Sequence, residues 1–223
     1  MQMKDYEERF LLHLVKTGAI KFGEFRLKSG RISPYFINLA DAMKTGEDAI
    51  EVADAFVAKI MEIGTDFDYI HGAAYKGIPL AALIAARLSE LHNINVRWGY
   101  DRKEKKEHGV PSEEVIVGDL RDDDIVLIVD DVITTGMTKI EIWEKLKVKK
   151  VRPKGIVVAV DREELSDADK EMLKNKRLNI FPILKITQIF DYLLNKEING
   201  KIYVNEQVRK RLEEYLRRYG EKK

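Results

Sequence analysis

The sequence predicts an α/β fold in which helices cover both faces of a mainly parallel central sheet. The chain has 223 residues, 45% of them hydrophobic, which is enough for one medium-sized domain with a buried core. Between residues 68 and 184, short apolar runs alternate with stretches in which apolar residues recur at helical spacing. Because no internal repeat or low-complexity linker stands out, we expect residues 1–223 to form a single domain.

The first 63 residues precede this alternation. Residues 5–15 place their apolar side chains on one helical stripe and predict an opening helix. Residues 24–38 alternate apolar and polar side chains around Ser29 and Gly30, which is typical of a β-hairpin. Residues 47–63 predict a second amphipathic helix.

The rest of the chain predicts strands separated by helices and loops. The predicted strands are 68–73, 94–98, 115–117, 125–129, 155–160 and 178–184, and the predicted helices are 79–91, 138–146 and 204–219. The last helix is basic and amphipathic, which favours a solvated surface helix. Ligands of parallel sheets gather at the carboxyl ends of the strands, so residues that directly follow each strand are the candidates for chemistry.

Composition limits the classes of partner. The 39 Lys and Arg residues against 38 Asp and Glu give a formal charge of +1, so charge suggests no bulk nucleic-acid or membrane partner. No apolar run approaches the roughly 20 residues of a membrane helix. Cysteine is absent, which excludes disulfide and thiolate chemistry and is compatible with a reducing cytoplasm. Residues 1–16 also lack the apolar core of a signal peptide, so we expect a cytoplasmic protein.

The strongest functional signal is residues 125–138, with the sequence IVLIVDDVITTGMT. Apolar residues predict a strand, Asp130 and Asp131 stand at its carboxyl end, and a Thr- and Gly-rich turn leads into a helix. A helix N-terminus offers unpaired N–H groups that bind phosphate. The acids can accept hydrogen bonds from sugar hydroxyls or hold the water shell of Mg²⁺.

Other interpretations of this segment can be compared directly. A capping Asp followed by an ordinary Thr-rich turn is the structural alternative. A P-loop requires GxxxxGK[ST] and a dinucleotide site requires GxGxxG, and neither pattern occurs in the sequence. The segment therefore predicts a ribose-phosphate site.

The sequence VDDVITTG after an apolar strand resembles the signature with which type I phosphoribosyltransferases bind 5-phosphoribosyl 1-pyrophosphate (PRPP). The resemblance implies their fold, with a small N-terminal hood at about residues 1–40. In that family the acids contact the ribose hydroxyls and the Thr/Gly loop wraps the 5-phosphate. The implied PRPP site comprises Asp130, Asp131, Val132, Ile133, Thr134, Thr135, Gly136, Met137 and Thr138, with Mg²⁺ held by the two acids through water.

A glycine-rich loop, GAAYKGIP at residues 72–79, follows another predicted strand. Backbone N–H groups and one ammonium suit pyrophosphate, although an ordinary strand-to-helix turn is the alternative. In the resembled family this is the pyrophosphate loop, which implies PRPP contacts from Tyr75 and Lys76. A strained or cis peptide can also occur in such a loop.

Residues 25–38, FRLKSGRISPYFIN, resemble the orotate phosphoribosyltransferases in particular. These enzymes have a lysine near substrate and an aromatic pair against the flat base. The resemblance implies orotate contacts from Lys28, Phe36 and Ile37, the last an aliphatic residue where bacterial members often have a second Phe. A plain hairpin is the alternative for this segment.

Residues 101–109, DRKEKKEHG, match the catalytic-loop pattern R-K-x-x-K-x-H-G of the same enzymes. A solvated charge run is the alternative, but long polar segments after a strand are often mobile lids, here about residues 101–116. The resemblance implies that the loop enters the active site of a neighbouring subunit, and therefore a homodimer with shared sites. The implied catalytic and PRPP-binding residues are Arg102, Lys103, Lys106 and His108, together with Lys76.

The sequence AVDR ends the predicted strand at residues 155–160 and supplies Arg162. In the resembled family this arginine binds the orotate carboxylate, which a planar guanidinium can bond bidentately. An ion pair with Glu163 or Glu164 at the surface is the alternative. Thr134 is also among the orotate-binding residues that the resemblance implies.

The resemblance runs from about residue 10 to residue 194. It implies a Mg²⁺-dependent enzyme that converts orotate and PRPP to orotidine 5′-phosphate and pyrophosphate in de novo pyrimidine biosynthesis. Three alternatives remain open: a phosphoribosyltransferase for another base, a PRPP-sensing regulator that binds nucleic acid, and a binding module with an inactive site. A basic patch on the C-terminal helix keeps the second alternative open.

Overall fold

The computed structural model describes residues 3–27, 29–102 and 115–221. The helices are α1 (Asp5–Lys16), α2 (Gly46–Ile63), α3 (Gly77–His92), α4 (Met137–Leu146), α5 (Asp167–Asn175), α6 (Ile186–Leu193) and α7 (Glu206–Tyr219), with a 3₁₀ turn at Leu39–Ala42. The strands are β1 (Ile20–Arg26), β2 (Ile32–Ile37), β3 (Tyr69–Gly72), β4 (Arg97–Asp101), β5 (Ile116–Gly118), β6 (Ile125–Ile133), β7 (Arg152–Asp161), β8 (Ile180–Lys185), β9 (Glu197–Ile198) and β10 (Lys201–Ile202).

The central sheet has six strands in the order β5-β4-β3-β6-β7-β8. Neighbouring strands are parallel except for β5, which runs antiparallel to β4 at one edge. Strands β6 and β7 are apolar and almost entirely buried, as expected of strands covered on both faces. The predicted α/β class with a mainly parallel sheet is confirmed.

The direction in which successive strands are added to the sheet reverses between β3 and β6. The chain leaves β3 towards β4 on one side and later returns to β6 on the other side. In open α/β sheets such a switch point leaves a crevice at the carboxyl ends of the two strands, where ligands bind. The loop after β3 and the turn after β6 are the two phosphate-binding segments that the sequence predicts.

Two hydrophobic clusters cover the sheet. The larger includes apolar residues of α1, α2, α3, α6 and α7, and the smaller includes those of α4 and α5. Within the described ranges, no helix combines the length and the apolar character needed to cross a membrane.

The β1–β2 hairpin is confirmed, with strands that pair from Ile20–Ile37 to Arg26–Ile32. Its turn includes Gly30, whose φ of +81° lies in the left-handed region that favours glycine. The hairpin begins four residues earlier than the alternation at residues 24–38 predicts, because Ile20 is buried as part of the core.

Strand β6 differs from its prediction in a way that matters for the site. The apolar run 125–129 predicts a strand that ends before the two acids, but pairing with β7 continues to Ile133 opposite Asp161. Asp130 and Asp131 therefore lie within strand β6, near its carboxyl end, and not in the turn that follows the strand. Strand β4 also starts three residues later than predicted, at Arg97.

The C-terminal helix α7 corrects the expectation of a solvated surface helix. Leu212 and Tyr215 are 1% and 5% exposed and belong to the larger hydrophobic cluster. The helix packs against β2, so its apolar stripe covers the hairpin. On its basic face, Arg209 pairs with Asp191 and Glu213.

Candidate active site

The loop between β3 and α3, residues 73–76, is pressed against the end of β6. A Cβ on Gly72 would lie 2.3 Å from the carbonyl oxygen of Gly77, and one on Gly77 would lie 2.6 Å from the carbonyl oxygen of Val129. Glycine at both positions is therefore required by close approach of the backbone. The Ala74–Tyr75 peptide is cis, which confirms the expectation of an unusual peptide in this loop.

Two side chains of this loop are exposed. Tyr75 is 63% exposed, and the side chain of Lys76 is 48% exposed. The Lys76 ammonium nevertheless reaches across the switch point, where its Nζ lies 2.6 Å from Asp131 Oδ2. The two predicted phosphate-binding segments are thus joined directly.

Asp130 and Asp131 are held by the backbone as well as by lysines. Asp130 Oδ1 accepts a hydrogen bond of 2.8 Å from the N–H of Asp131, and Asp131 Oδ1 accepts one of 2.8 Å from the N–H of Val132. Helix α4 starts after Gly136 and has no side-chain cap. The acids therefore do not cap the helix, and the structural alternative of a capping Asp is excluded.

Lys139 is a partner of Asp130 that sequence reasoning missed. Its ammonium bonds Asp130 Oδ2, and the residue is 3% exposed on the buried side of α4. Burial raises the pKa of Asp130, the charge of Asp131 raises it further, and Lys139 opposes both. A signal was present in the sequence, since Lys139 lies at helical spacing from Ile142 and Trp143 on an apolar stripe.

The turn from Thr134 to Thr138 is the second of the predicted phosphate-binding segments. Within the described ranges, the N–H groups of these five residues donate to no other protein group. Thr135 and Thr138 are exposed, and Gly136 is packed so that an added Cβ would lie 2.9 Å from Leu173. Successive open N–H groups at a helix N-terminus form a site for a phosphate.

The root of the predicted catalytic loop is anchored by Asp101, which is 3% exposed. Asp101 Oδ1 accepts from the N–H of Ala74 at 3.2 Å, and Oδ2 lies 2.5 Å from Lys145 Nζ. Burial alone would raise the pKa of Asp101, but hydrogen bonds from His71, Lys145 and Ala74 lower it to about 2. This carboxylate therefore joins the end of β4 to the loop after β3.

Arg102 is the first residue after β4. Its backbone N–H donates to the carbonyl of Val115 at 2.8 Å, and its carbonyl accepts from Lys145 at 3.3 Å. Its Nε is buried and has no hydrogen-bond partner among the described residues. Four predicted site residues, Lys28, Lys103, Lys106 and His108, lie outside the described residues.

Phe36 and Ile37 lie on opposite faces of β2. Phe36 is 39% exposed, and its ring centroid is 5.7 Å from that of Phe25. Ile37 is 8% exposed and packs in the larger hydrophobic cluster. Strand alternation therefore makes Phe36 available to a planar ligand and places the Ile37 side chain in the core.

Arg162 follows β7 and is 7% exposed, so it is not a surface residue. Its Nε donates to Glu164 Oε1 at 2.9 Å, and its guanidinium lies 4.8 Å from the centroid of the Tyr35 ring. Its backbone N–H donates to the carbonyl of Ile133, next to the phosphate turn. The ion pair of Arg162 with Glu164, which the sequence offered as an alternative at the surface, therefore exists, but both side chains are buried.

These segments meet at one edge of the sheet. They supply open backbone N–H groups, two carboxylates, cationic side chains and two exposed aromatic rings, those of Tyr75 and Phe36. The first three suit a phosphorylated sugar, because phosphate binds N–H groups and cations whereas hydroxyls bond carboxylates. Strand pairing places the two phosphate-binding segments beside each other at the switch point.

Comparison with known proteins places this site in context. The chain matches the family model of the phosphoribosyl transferase domain over residues 41–184. It is 35% identical to the orotate phosphoribosyltransferase of Clostridium acetobutylicum, with 99% of this chain and 100% of that protein covered. It is 36% identical to the Kluyveromyces lactis enzyme of the same name, with 98% and 97% covered. The crystal structure of orotate phosphoribosyltransferase from Francisella tularensis is similar with a TM-score of 0.78 and 31% identity, and covers 95% of this chain and 98% of that one.

Proposed function

The chain belongs to the orotate phosphoribosyltransferase family, and we propose that the residues gathered at the carboxyl edge of its sheet carry out that family's reaction. The enzyme is a pentosyltransferase of pyrimidine biosynthesis, which converts orotate and PRPP to orotidine 5′-phosphate and pyrophosphate. The observation that carries the residue assignment is the turn Thr134–Thr138, with its open N–H groups beside two carboxylates at the switch point.

We assign the ribose 5-phosphate of PRPP to this turn. Thr134, Thr135, Gly136, Met137 and Thr138 supply backbone N–H groups at the N-terminus of α4, and the threonines add hydroxyl donors. Asp130 and Asp131 accept hydrogen bonds from the ribose hydroxyls. Val132 and Ile133 contribute backbone in the last part of β6, where it pairs with β7.

The pyrophosphate of PRPP is assigned to the loop after β3. Lys76 belongs to this loop, and its ammonium contacts Asp131, so it joins the loop to one of the two acids. Negative charge grows on the pyrophosphate as it leaves, and preorganised cations stabilise that charge. We assign this role to Lys76, and to Arg102, Lys103, Lys106 and His108 on the basis of the loop pattern R-K-x-x-K-x-H-G. Tyr75 is the neighbouring PRPP contact.

The base orotate is assigned to the space beside the hairpin. Phe36 offers the exposed ring against which a planar pyrimidine packs, and Arg162 offers a guanidinium for the carboxylate. Thr134 and Lys28 complete the proposed set, the latter from sequence alone. The side chain of Ile37 is buried in the larger hydrophobic cluster, so we do not include it among the side chains that contact the base.

The donor set fits Mg²⁺ held through water. Within the described residues no group of three or more His, Cys, Asp and Glu side chains could hold a metal. Asp130 and Asp131 are only two carboxylates, and each has one oxygen bonded to a lysine. Mg²⁺ keeps several waters and is often bound through one or two carboxylates plus substrate phosphates, so these acids would hold its water shell. Bound there with PRPP, the ion would supply positive charge against the pyrophosphate.

We further propose a cytoplasmic homodimer in which each catalytic loop completes the partner's site. The support is the loop pattern and the absence of cysteine, both sequence features. Mixing subunits tests the sharing of sites. Lys106→Ala and Asp131→Asn variants, each with strongly lowered turnover alone, should regain turnover after mixed refolding, because one hybrid site has both intact parts. Mixtures that stay inactive while hybrids demonstrably form would contradict shared sites.

The enzyme's reaction is tested by mixing the protein with PRPP, Mg²⁺ and a panel of bases, and by following the loss of orotate absorbance. We expect orotate to be consumed and pyrophosphate to appear in equal amount. A purine base in place of orotate should give no product. Turnover of another base without orotate consumption would overturn the assignment.

A further inference from the structure

A buried carboxylate, Glu164, lies behind the proposed orotate-binding arginine. Its side chain is 1% exposed and accepts hydrogen bonds from three parts of the fold. Oε1 accepts from Tyr35 at 3.2 Å on β2 and from Arg162 at 2.9 Å after β7. Oε2 accepts from Arg31 at 3.3 Å in the hairpin. The carboxylate thus joins the hairpin to the end of the sheet.

Helix α7 contributes the remaining donor, through Tyr215. The hydroxyl of Tyr215 donates to Glu164 Oε1 at 3.0 Å and accepts from Arg162 Nη2 at 3.4 Å. The ring is almost completely buried and meets the Tyr35 ring edge-on, with centroids 6.2 Å apart. One phenol therefore contacts both members of the Arg162–Glu164 ion pair.

These contacts leave one end of the guanidinium available. Nε and Nη2 are bonded to Glu164 and Tyr215, and the plane is packed against Tyr35. Among the described residues, Nη1 donates to no protein group, and it is not a fully buried unsatisfied atom. An incoming carboxylate can therefore bond Nη1 without breaking the existing bonds.

We propose that Tyr215 is a positioning residue for orotate binding, which acts through Glu164 and Arg162 and makes helix α7 part of the base site. This inference rests on the proposed role of Arg162. A free arginine side chain loses rotamer freedom when a ligand fixes it, and the network fixes Arg162 before the ligand arrives. Preorganisation of this kind improves affinity for the carboxylate without changing the reacting atoms.

The tyrosine hydroxyls have a second effect on the same pair. A carboxylate beside Arg162 would repel the carboxylate of orotate, and each N–H or O–H donated to Glu164 moderates that charge. Tyr35, Tyr215 and Arg31 all donate to it. Removal of one hydroxyl should therefore loosen the arginine and also leave more negative charge near the ligand.

The test compares Tyr215→Phe with Tyr219→Phe on the same helix. Both changes remove one phenol oxygen, but the Tyr219 hydroxyl makes no hydrogen bond among the described residues. The Tyr219 ring contacts Arg31 and the Tyr215 ring, and phenylalanine keeps that ring. We expect Tyr215→Phe to raise the KM for orotate about tenfold, the usual effect of losing a hydrogen bond to a charged group. The KM for PRPP and kcat should stay within about twofold. Tyr219→Phe should change none of the three.

A second readout separates positioning from general damage. The Kd of orotate and of its uncharged carboxamide should be measured on the same sample of each variant, so that the ratio is independent of the folded fraction. Tyr215→Phe should weaken orotate and leave the carboxamide unchanged. Equal weakening of both ligands, or of neither, would overturn the proposal.

Arg162→Gln distinguishes failure of this inference from failure of the proposed function. Wild-type protein that does not consume orotate would contradict the function itself. If Arg162→Gln leaves the ratio of the two Kd values unchanged, the role of Arg162 is wrong and the positioning role falls with it. If Arg162→Gln changes the ratio and Tyr215→Phe does not, only the positioning role is overturned. In the Arg162→Gln background, Tyr215→Phe should have no further effect on orotate.

Discussion

The ammonium of Lys76 lies 2.6 Å from Asp131 Oδ2 and joins the loop after β3 to the end of β6. These two strands flank the point at which the strand order reverses, so the contact spans the crevice of the sheet. Asp130 has its own lysine, Lys139, on the buried side. Each acid that we propose to bind the ribose hydroxyls therefore has a lysine partner before substrate binds. Of the two lysines, only Lys76 is exposed enough to leave its acid and bind pyrophosphate instead.

Lys76→Met should lower kcat/KM for PRPP by about 10²–10³, because one preorganised cation opposite the leaving pyrophosphate is lost. The loss should appear in steady-state assays with saturating orotate. The matched control is Lys147→Met, since the Lys147 side chain has the same 48% exposure and its pair is a surface one with Glu144. A Lys76→Met enzyme with near-normal turnover would remove this lysine from the proposed catalytic set.

Lys106→Ala should lower turnover on the same scale, about 10²–10³, because the loop lysine acts on charge that develops in the transition state. The neighbouring Lys105→Ala is the control, since Lys105 falls on a variable position of the pattern R-K-x-x-K-x-H-G. Initial rates with both substrates saturating distinguish the two variants. Equal effects of both changes would indicate a general charge effect of the loop and contradict the specific assignment.

Removal of Mg²⁺ should abolish turnover without destabilising the protein. The two acids are paired with lysines and the described residues hold no metal-binding group of three, so Mg²⁺ alone should bind weakly. Thermal unfolding should show no change in Tm with EDTA or with Mg²⁺ alone. Mg²⁺ together with PRPP at a hundred times its Kd should raise Tm by roughly 5–10 °C. A similar rise with Mg²⁺ alone would indicate a protein-only metal site.

Asp161, at the end of β7, should make stability depend on pH. Burial raises its pKa from 3.8 to about 6, and the charges of Glu221 and Glu163 add to the shift. At pH values between these two pKa values, the folded state therefore keeps a proton on Asp161 that the unfolded state has released. Its contribution to stability falls as pH rises through this window and remains unfavourable above it.

Asp161→Asn removes this ionisation while keeping an oxygen for the N–H of Glu163, which donates to Asp161 at 2.8 Å. Urea unfolding should show equal stability of variant and wild type below the window, and a more stable variant at neutral pH by about 1–3 kcal/mol. Asp123→Asn, at an exposed aspartate, is the control. A difference that does not vary with pH would contradict the raised pKa.

Local sequence was sufficient to predict the segments of the proposed phosphate-binding part of the site. Residues 125–138 form one strand, one turn and one helix start, and every group that we propose for the ribose phosphate lies within that stretch. The same holds for the pyrophosphate loop, where Gly72 and Gly77 mark the close approach to β6. Such contiguous units can be predicted because the backbone geometry that makes the site is itself local.

Partners distant in sequence could not be predicted in this way. The pair of Lys139 and Asp130 is close in the chain, but it too depends on burial, because a lysine on an amphipathic helix is ordinarily solvated. Tyr215 and Glu164 are 51 residues apart, and no pattern connects them. The amphipathic stripe of α7 predicted a helix but not the surface that it covers.

The sequence by itself determined the α/β class, most of the helices and strands, and the identity of the groups that we propose to bind a phosphorylated ribose. Helices α5 and α6, the exact end of β6, and the burial of Ile37 came only from the tertiary structure. So did the network that fixes Arg162. The physical reason is that periodicity and turn chemistry act over a few residues, whereas burial and ion pairing depend on which faces the sheet order brings together.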